Sequence, residues 1–174
     1  FAEYLCLQLF GYRIASISMA SATGLLNQKK CDWDWEFVSA LGVVRESLPE
    51  VREKIDLPLS RKFIDRWPAL IDAKLRAVLG DGAANNVGGG CSSADKVALM
   101  VGTSGAMRVV VHGNPPERLA SSLWSYRIDE RRVVIGGALS DGGGLYHWLT
   151  DTLAIDDRRK FEKAVDGVGK ATKV

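Results

Sequence analysis

The sequence predicts an α/β protein, and two observations carry that prediction. Up to Gly90, short helical and extended stretches alternate, each closed by glycine or proline. Beyond it, runs rich in β-branched residues pair through short turns and then give way to amphipathic helices.

The elements follow in order. "AEYLCLQLF" has apolar residues at helical spacing and stops at Gly11, as a helix with a C-terminal glycine does. "IASISMASATGLLN" mixes β-branched and small residues and reads as an extended segment or a strand pair. "DWDWEFVSALGV" reads as a helix capped by Asp34 and stopped at Gly42. In "CDWDWE", Asp32 and Asp34 flank a tryptophan, which suits a half-buried helix start better than an acid pair. "SLPEVREKIDLPLS" reads as loop with a short strand. Pro68 breaks any single long helix across "RKFIDRWPALIDAKLRAVLG", whose end "LRAVLG" reads as a short strand. "KVALMVGTSGAMRVVV" gives two strands joined through "GTSG", and "SLWSYRIDERRVVIGGAL" two more joined through "DERR", so this half reads as an antiparallel meander. "SDGGGLYHWLTDTLAI" carries Leu145, Trp148, Leu149 and Leu153 at helical spacing, and "DDRRKFEKAVDGVGKATKV" reads as an exposed helix and tail. The change of character at "CSSAD" divides the chain into 1–91 and 92–174.

Composition narrows the partners. With 174 residues, 47% of them hydrophobic, the chain buries a substantial core. A charged fraction of 25% and a net charge of +2, with the basic residues scattered, give no footprint for nucleic acid or a membrane surface. No apolar run reaches the roughly 18 residues of a membrane span. Three dispersed cysteines, Cys6, Cys31 and Cys91, suit reduced thiols and a cytoplasmic protein. The chain opens inside a helix without an initiator Met and reads as an internal segment.

Two Asp-Gly turns stand where strands give way to helices, at Asp81 in "GDGAANNVGGG" and at Asp141 in "SDGGGL". Each acid reads either as a helix N-cap or as a carboxylate left open beside small residues, able to act as a general base. The glycine turns "DGGGLYHW" and "VGTSGAMR", the second with Thr103 and Ser104, also suit phosphate oxygens held on backbone N–H groups. Sharper motifs fail. The tail "DGVGKATKV" has Ala171 where a P-loop needs Ser or Thr, and "GTSGA" is one residue short of a nucleophile elbow. No G-x-G-x-x-G register and no zinc-ligand spacing occurs.

Five motifs in fixed order, "SMASATGLLNQ…DWDWEFVSALGV…LPEV", "GDGAANNVGGGC", "ALMVGTSGAMRVVV", "LWSYRID" and "VIGGALSDGGGLYHWL", resemble the FGGY family of carbohydrate kinases over nearly the whole chain. The second and third are most similar to its gluconate kinases. The resemblance implies a ribonuclease-H-like, actin-type two-lobe architecture, here the end of the N-terminal sugar-binding lobe (1–91) and the start of the C-terminal nucleotide-binding lobe (92–174). It implies transfer of the γ-phosphoryl group of ATP, with Mg2+, to a sugar or sugar-acid hydroxyl in the cleft, with gluconate favoured over xylulose, glycerol or ribulose.

By the same resemblance Asp81 is the catalytic base and a substrate contact, and Gly82 a substrate contact through its backbone. Gly102 and Thr103 meet the ATP phosphates, and Gly143 and His147 contact the nucleotide. Arg108 in "GAMR" is a candidate for the carboxylate of a sugar acid, while Asp141 receives no role by this route. The family's acidic phosphate-binding hairpin and its second glycine-rich adenosine site have no counterpart here. This stretch by itself is therefore expected to be inactive, and a non-catalytic structural or interaction role stands as the alternative. A homo-oligomer is left open.

Overall fold

The computed structural model describes residues 1–153, 155 and 157–168. These fall into two compact units, the first made of Phe1–Ala98 and Arg108–Gly137, the second of Leu99–Met107 and the residues from Ala138 on.

In the first unit, α1 (Ala2–Phe10) ends on Gly11, whose φ of 81° only glycine adopts cheaply and whose N–H donates to the Leu7 carbonyl at 3.0 Å. β1 (Ile14–Ser16) follows, and Ile14 joins Cys6 and Ile55 in a small core. The stretch expected to be extended throughout then turns helical, as α2 (Ile17–Ser21), before β2 (Leu26–Asn27). Ser16 causes the difference: its hydroxyl accepts the Met19 N–H at 3.1 Å and caps the turn. The small residues Ser18, Ala20 and Ser21 then let the turn bury almost completely.

β3 (Asp32–Trp33) pairs antiparallel with β2, and α3 (Trp35–Ala40) starts at Asp34, whose carboxylate accepts the Phe37 N–H at 3.2 Å. Trp33 is buried in a core with Ala15, Ile17, Ala20 and Leu26, its indole N–H donating to the Pro49 carbonyl at 2.7 Å. β4 (Glu50–Arg52) pairs in parallel with β1. β5 (Leu57–Pro58) pairs with β6 (Lys74–Leu75), and between them α4 (Arg61–Arg66) gives way to a 3-10 turn at Pro68, the break the proline predicts. The strand expected over "LRAVLG" stops at Leu75. From Arg76 to Gly80 the backbone instead bonds to serine side chains: the Ser16 hydroxyl donates to the Val78 carbonyl, and the Gly80 N–H donates to Ser18 Oγ at 3.1 Å.

α5 (Asp81–Gly88) follows, then β7 (Val97–Val101), β8 (Gly105–His112), β9 (Trp124–Arg127) and β10 (Arg132–Leu139). They form a four-stranded sheet in the order β7-β8-β10-β9, with β9 and β10 antiparallel. A simple meander would place β9 beside β8. Here the longer and more apolar β10, with Val133 and Val134 fully buried, takes the inner position and leaves the four-residue β9 at the edge. Ala83 of α5 packs without gap on Val110, Ile128 and Val134, so the helix lies directly on this sheet.

Arg127 is buried to 1% exposure, and its guanidinium donates to the carbonyls of Gln28 (2.6 Å), Gly113 (3.1 Å) and Glu130 (2.8 Å) and to Asn114 Oδ1 (2.9 Å). Its backbone N–H donates to Ser21 Oγ at 2.8 Å, tying β9 to α2.

The β9–β10 turn is built by Asp129. Its Oδ1 accepts the Arg131 and Arg132 N–H groups at 2.9 and 2.7 Å, and its Oδ2 accepts Arg132 Nε at 2.8 Å. Burial pushes this carboxyl upward, but the Arg132 side-chain bond and the backbone N–H groups outweigh it and hold it below its ordinary value. A depressed folded pKa means stabilisation that is present above the unfolded value and lost as pH falls through the folded one. Asp129→Ala is expected to cost roughly 1–2 kcal/mol at neutral pH. In thermal melts the gap between variant and wild type should narrow as pH falls through the folded value of this carboxyl, and an undiminished gap in acid would rule this account out.

In the second unit, α6 (Gly143–Thr152) and α7 (Arg158–Val168) follow the sheet. Gly169, Lys170 and Ala171 of the P-loop-like tail lie outside the described residues. Among the described residues no helix is long and apolar enough to cross a membrane.

Candidate active site

Asp81 is the first residue of α5, and Gly80, with extended dihedrals, is its N-cap. The acid is therefore no cap: a cap accepts the amide two or three residues on, whereas Asp81 Oδ1 accepts the neighbouring Gly82 N–H at 2.7 Å. A carboxylate in the first turn is favoured by the partial positive charge of the helix start. It stays exposed, and Oδ2 takes no hydrogen bond among the described residues. Asp141 is no cap either; α6 is capped by Gly142 without a side-chain bond.

The position of Asp81 is fixed from several directions within the first unit. Ser18, fully buried, holds the preceding residue through the Gly80 N–H. Ala83, with no side chain beyond Cβ, seats the first turn on the sheet. Asn86, also fully buried, donates through Nδ2 to the Arg108 carbonyl at 3.2 Å and the Cys91 carbonyl at 3.4 Å, locking α5 to β8.

Beside Asp81 the same sheet presents Arg108, Trp124 and Tyr126. The two aromatic rings stack at 5.5 Å, and the Arg108 guanidinium lies 5.8 Å from the Trp124 ring centre. A Cβ at Gly82 would collide with the Tyr126 hydroxyl and stand 3.1 Å from Arg108 Nε, so glycine is what admits both groups to the helix start. Burial pushes the Tyr126 hydroxyl above the ordinary tyrosine value against the opposing pull of Arg108, so at neutral pH it is a neutral donor.

In the second unit the two glycine turns lock together. The N–H groups of Gly142 and Gly143 donate to the carbonyls of Thr103 (2.8 Å) and Gly102 (2.7 Å), and that of Gly144 donates to Thr103 at 3.3 Å. A Cβ at Gly143 would stand 2.9 Å from the Gly102 carbonyl oxygen, and one at Gly142 2.9 Å from the Ser104 carbonyl carbon. The three glycines thus permit backbone to lie on backbone, and their amides are spent inside the protein. Left for a phosphate in these turns are the exposed Thr103 and Ser104, whose hydroxyls and backbone N–H groups donate no hydrogen bond among the described residues. His147 is exposed on α6, one edge against the Tyr146 ring. Among the described residues no group of three or more His, Cys, Asp or Glu could hold a metal.

Ser18, Asn86, Trp124 and Tyr126 support the site without a sequence signal of their own. Ser18 and Gly80 stand 62 positions apart, and no local pattern links them.

The fold is that of the actin-like sugar kinases. A xylulose kinase from Lactobacillus acidophilus superposes with a TM-score of 0.83 at 28% identity, covering 95% of this chain and 34% of its own. A gluconate kinase from the same organism gives 0.80 at 30%, covering 89% and 32%. Residues 1–56 match the FGGY family of carbohydrate kinases, N-terminal domain. A gluconokinase from Bacillus subtilis is 30% identical over 162 residues, 89% of this chain. In these matches the chain is similar to the FGGY family, and it spans about 30% of the length of the curated relatives it matches.

Proposed function

We propose that this chain is part of an ATP-dependent carbohydrate kinase of the cytoplasm, that its substrate is gluconate, and that Asp81 is the general base. The observation that carries the reading is the exposed Asp81 carboxylate at the start of α5, with Oδ2 open to a substrate hydroxyl. It is supported by the likeness to gluconokinases over most of the chain. We also propose that the lobes of the complete enzyme divide near Cys91, with 1–91 on the sugar side and 92–174 on the nucleotide side.

Phosphoryl transfer passes through a loose transition state, so the protein serves it mainly by positioning and electrostatics. When bound, ATP supplies the γ-phosphoryl group, and Mg2+ shields its phosphates. Asp81 Oδ2 accepts the proton of the attacking hydroxyl while Oδ1 stays tied to Gly82 N–H, which keeps the carboxylate oriented. The Gly82 backbone lies against the substrate. Gly102 and Thr103 take the phosphate end of the nucleotide, the fit resting on the Thr103 and Ser104 hydroxyls, which are free for it. Gly143 and His147 take the nucleotide at the start of α6. Mg2+ would be held largely by the phosphates, as is usual for this ion; among the described residues no carboxylate cluster stands for it.

A coupled assay of the complete protein with gluconate, xylulose, glycerol and ribulose tests the reading. The expected result is a kcat/KM for gluconate at least about tenfold above the others. A preference for a neutral sugar would overturn the substrate, and no turnover of any would overturn the kinase.

A further inference from the structure

We infer that Arg108, with the Tyr126 hydroxyl beside it, forms a carboxylate subsite over Gly82 that selects a sugar acid over a neutral sugar. The inference rests on the kinase reading for the kind of molecule that enters. What points to an anion is the state of the guanidinium.

This chain provides its own comparison. Arg127 spends its guanidinium donors on three carbonyls and an amide oxygen, as an arginine that serves the fold does. Arg108 spends none: its Nε and Nη1 are out of reach of solvent and have no hydrogen-bond partner among the described residues. Buried donors left unmet are costly, more so on a charged group, and a fold that merely needed a cation–π contact with Trp124 would not require them there. No carboxylate of the described residues forms an ion pair with Arg108, Asp81 included.

The approach to Gly82 gives the subsite its place. Glycine at this position lets Nε come to within 3.1 Å of where a Cβ would stand and lets the Tyr126 hydroxyl come closer still. Both donors therefore converge one residue from Asp81. The Asn86 bond to the Arg108 carbonyl and the stacking of Tyr126 on Trp124 hold them there. A planar guanidinium matches a carboxylate through two parallel charge-assisted bonds, a bidentate geometry that a single hydroxyl cannot reproduce. A sugar acid gains both, whereas a neutral sugar at the same place offers only hydroxyl oxygens, which accept more weakly and without the matching fork.

The test compares wild type, Arg108→Gln and Arg108→Lys in the complete kinase, measuring KM for gluconate, xylulose and ATP. Arg108→Gln should raise KM for gluconate about 10- to 100-fold, leave KM for ATP within about twofold and leave xylulose unaffected or improved. Arg108→Lys, which keeps the charge and loses the fork, should fall between. An unchanged KM for gluconate overturns the subsite, as does an equal rise for ATP, which would mark the anion as a phosphate. Calorimetric titration of gluconate into wild type and Arg108→Gln, without ATP, separates the two readings. Binding lost in the variant upholds the subsite even if no sugar is turned over, and equal or absent binding in both defeats it. Matching far-ultraviolet circular dichroism excludes misfolding, and Gly82→Ala, which forces Arg108 and Tyr126 aside, should raise KM for gluconate in the same direction.

Discussion

Asp81→Asn in the complete enzyme is expected to lower kcat by roughly 10²–10⁴-fold, the contribution of a single general base, while KM for ATP stays within about twofold. Asparagine is the informative replacement because it preserves what holds the residue in place. Its amide oxygen still accepts the Gly82 N–H, Ser18 still holds Gly80, and Ala83 still seats the helix on the sheet. Only the capacity to take a proton at Oδ2 disappears. The small electrostatic gain of a carboxylate at a helix start, about 0.3–1 kcal/mol, also goes. A fall in thermal stability larger than that would mean the acid serves the fold. Steady-state kinetics with gluconate decide the matter: a kcat within about threefold of wild type would end the assignment of Asp81 as base.

Arg127→Met is expected to destabilise the protein by about 2–4 kcal/mol. Methionine keeps the apolar stem and volume but leaves the Gln28, Gly113 and Glu130 carbonyls and Asn114 Oδ1 without their donor. An unmet buried acceptor costs about 1–3 kcal/mol, and the sum is reduced because Gly113, Asn114 and Glu130 are exposed enough for water to replace part of the bonding. Arg127→Lys should recover only part of the loss, since one ammonium cannot reach four acceptors in different directions. Chemical denaturation of the three proteins measures this. A loss below about 0.5 kcal/mol for the methionine variant would show that the buried guanidinium contributes little to stability.

Sequence reading went furthest where structure is local. The helix over Ala2–Phe10 with its left-handed Gly11, the Asp34 cap, the break at Pro68 and the turn at Asp129 each depend on residues within a few positions of one another. The reading failed where a distant partner decides. "IASISMASATGLLN" turns helical because Ser16 caps it and the sheet accepts its small residues. "LRAVLG" forms no ladder beyond Leu75 because Ser16 and Ser18 take its backbone groups. The sheet order departs from a meander because burial favours the longer, more apolar β10 at the interior over the short β9. Asp81 and Asp141 both look like caps in sequence, yet the helix starts fall so that Gly80 and Gly142 are the caps.

The order of five motifs in the sequence carries the FGGY resemblance, and with it Asp81 as the candidate base and the two glycine turns as candidate phosphate sites. Tertiary structure alone decided how those pieces are made to serve. The amides of Gly142, Gly143 and Gly144 are spent on Gly102 and Thr103, so Thr103 and Ser104, with their hydroxyls and N–H groups, are what those turns can offer a phosphate. Gly82 stands beside Asp81 because two polar groups from β8 and β9 must come close to the helix start. The reason is common to both cases: a hydrogen-bond donor has no fixed meaning in sequence, and its use is set by which acceptor the folded chain brings within about 3 Å of it.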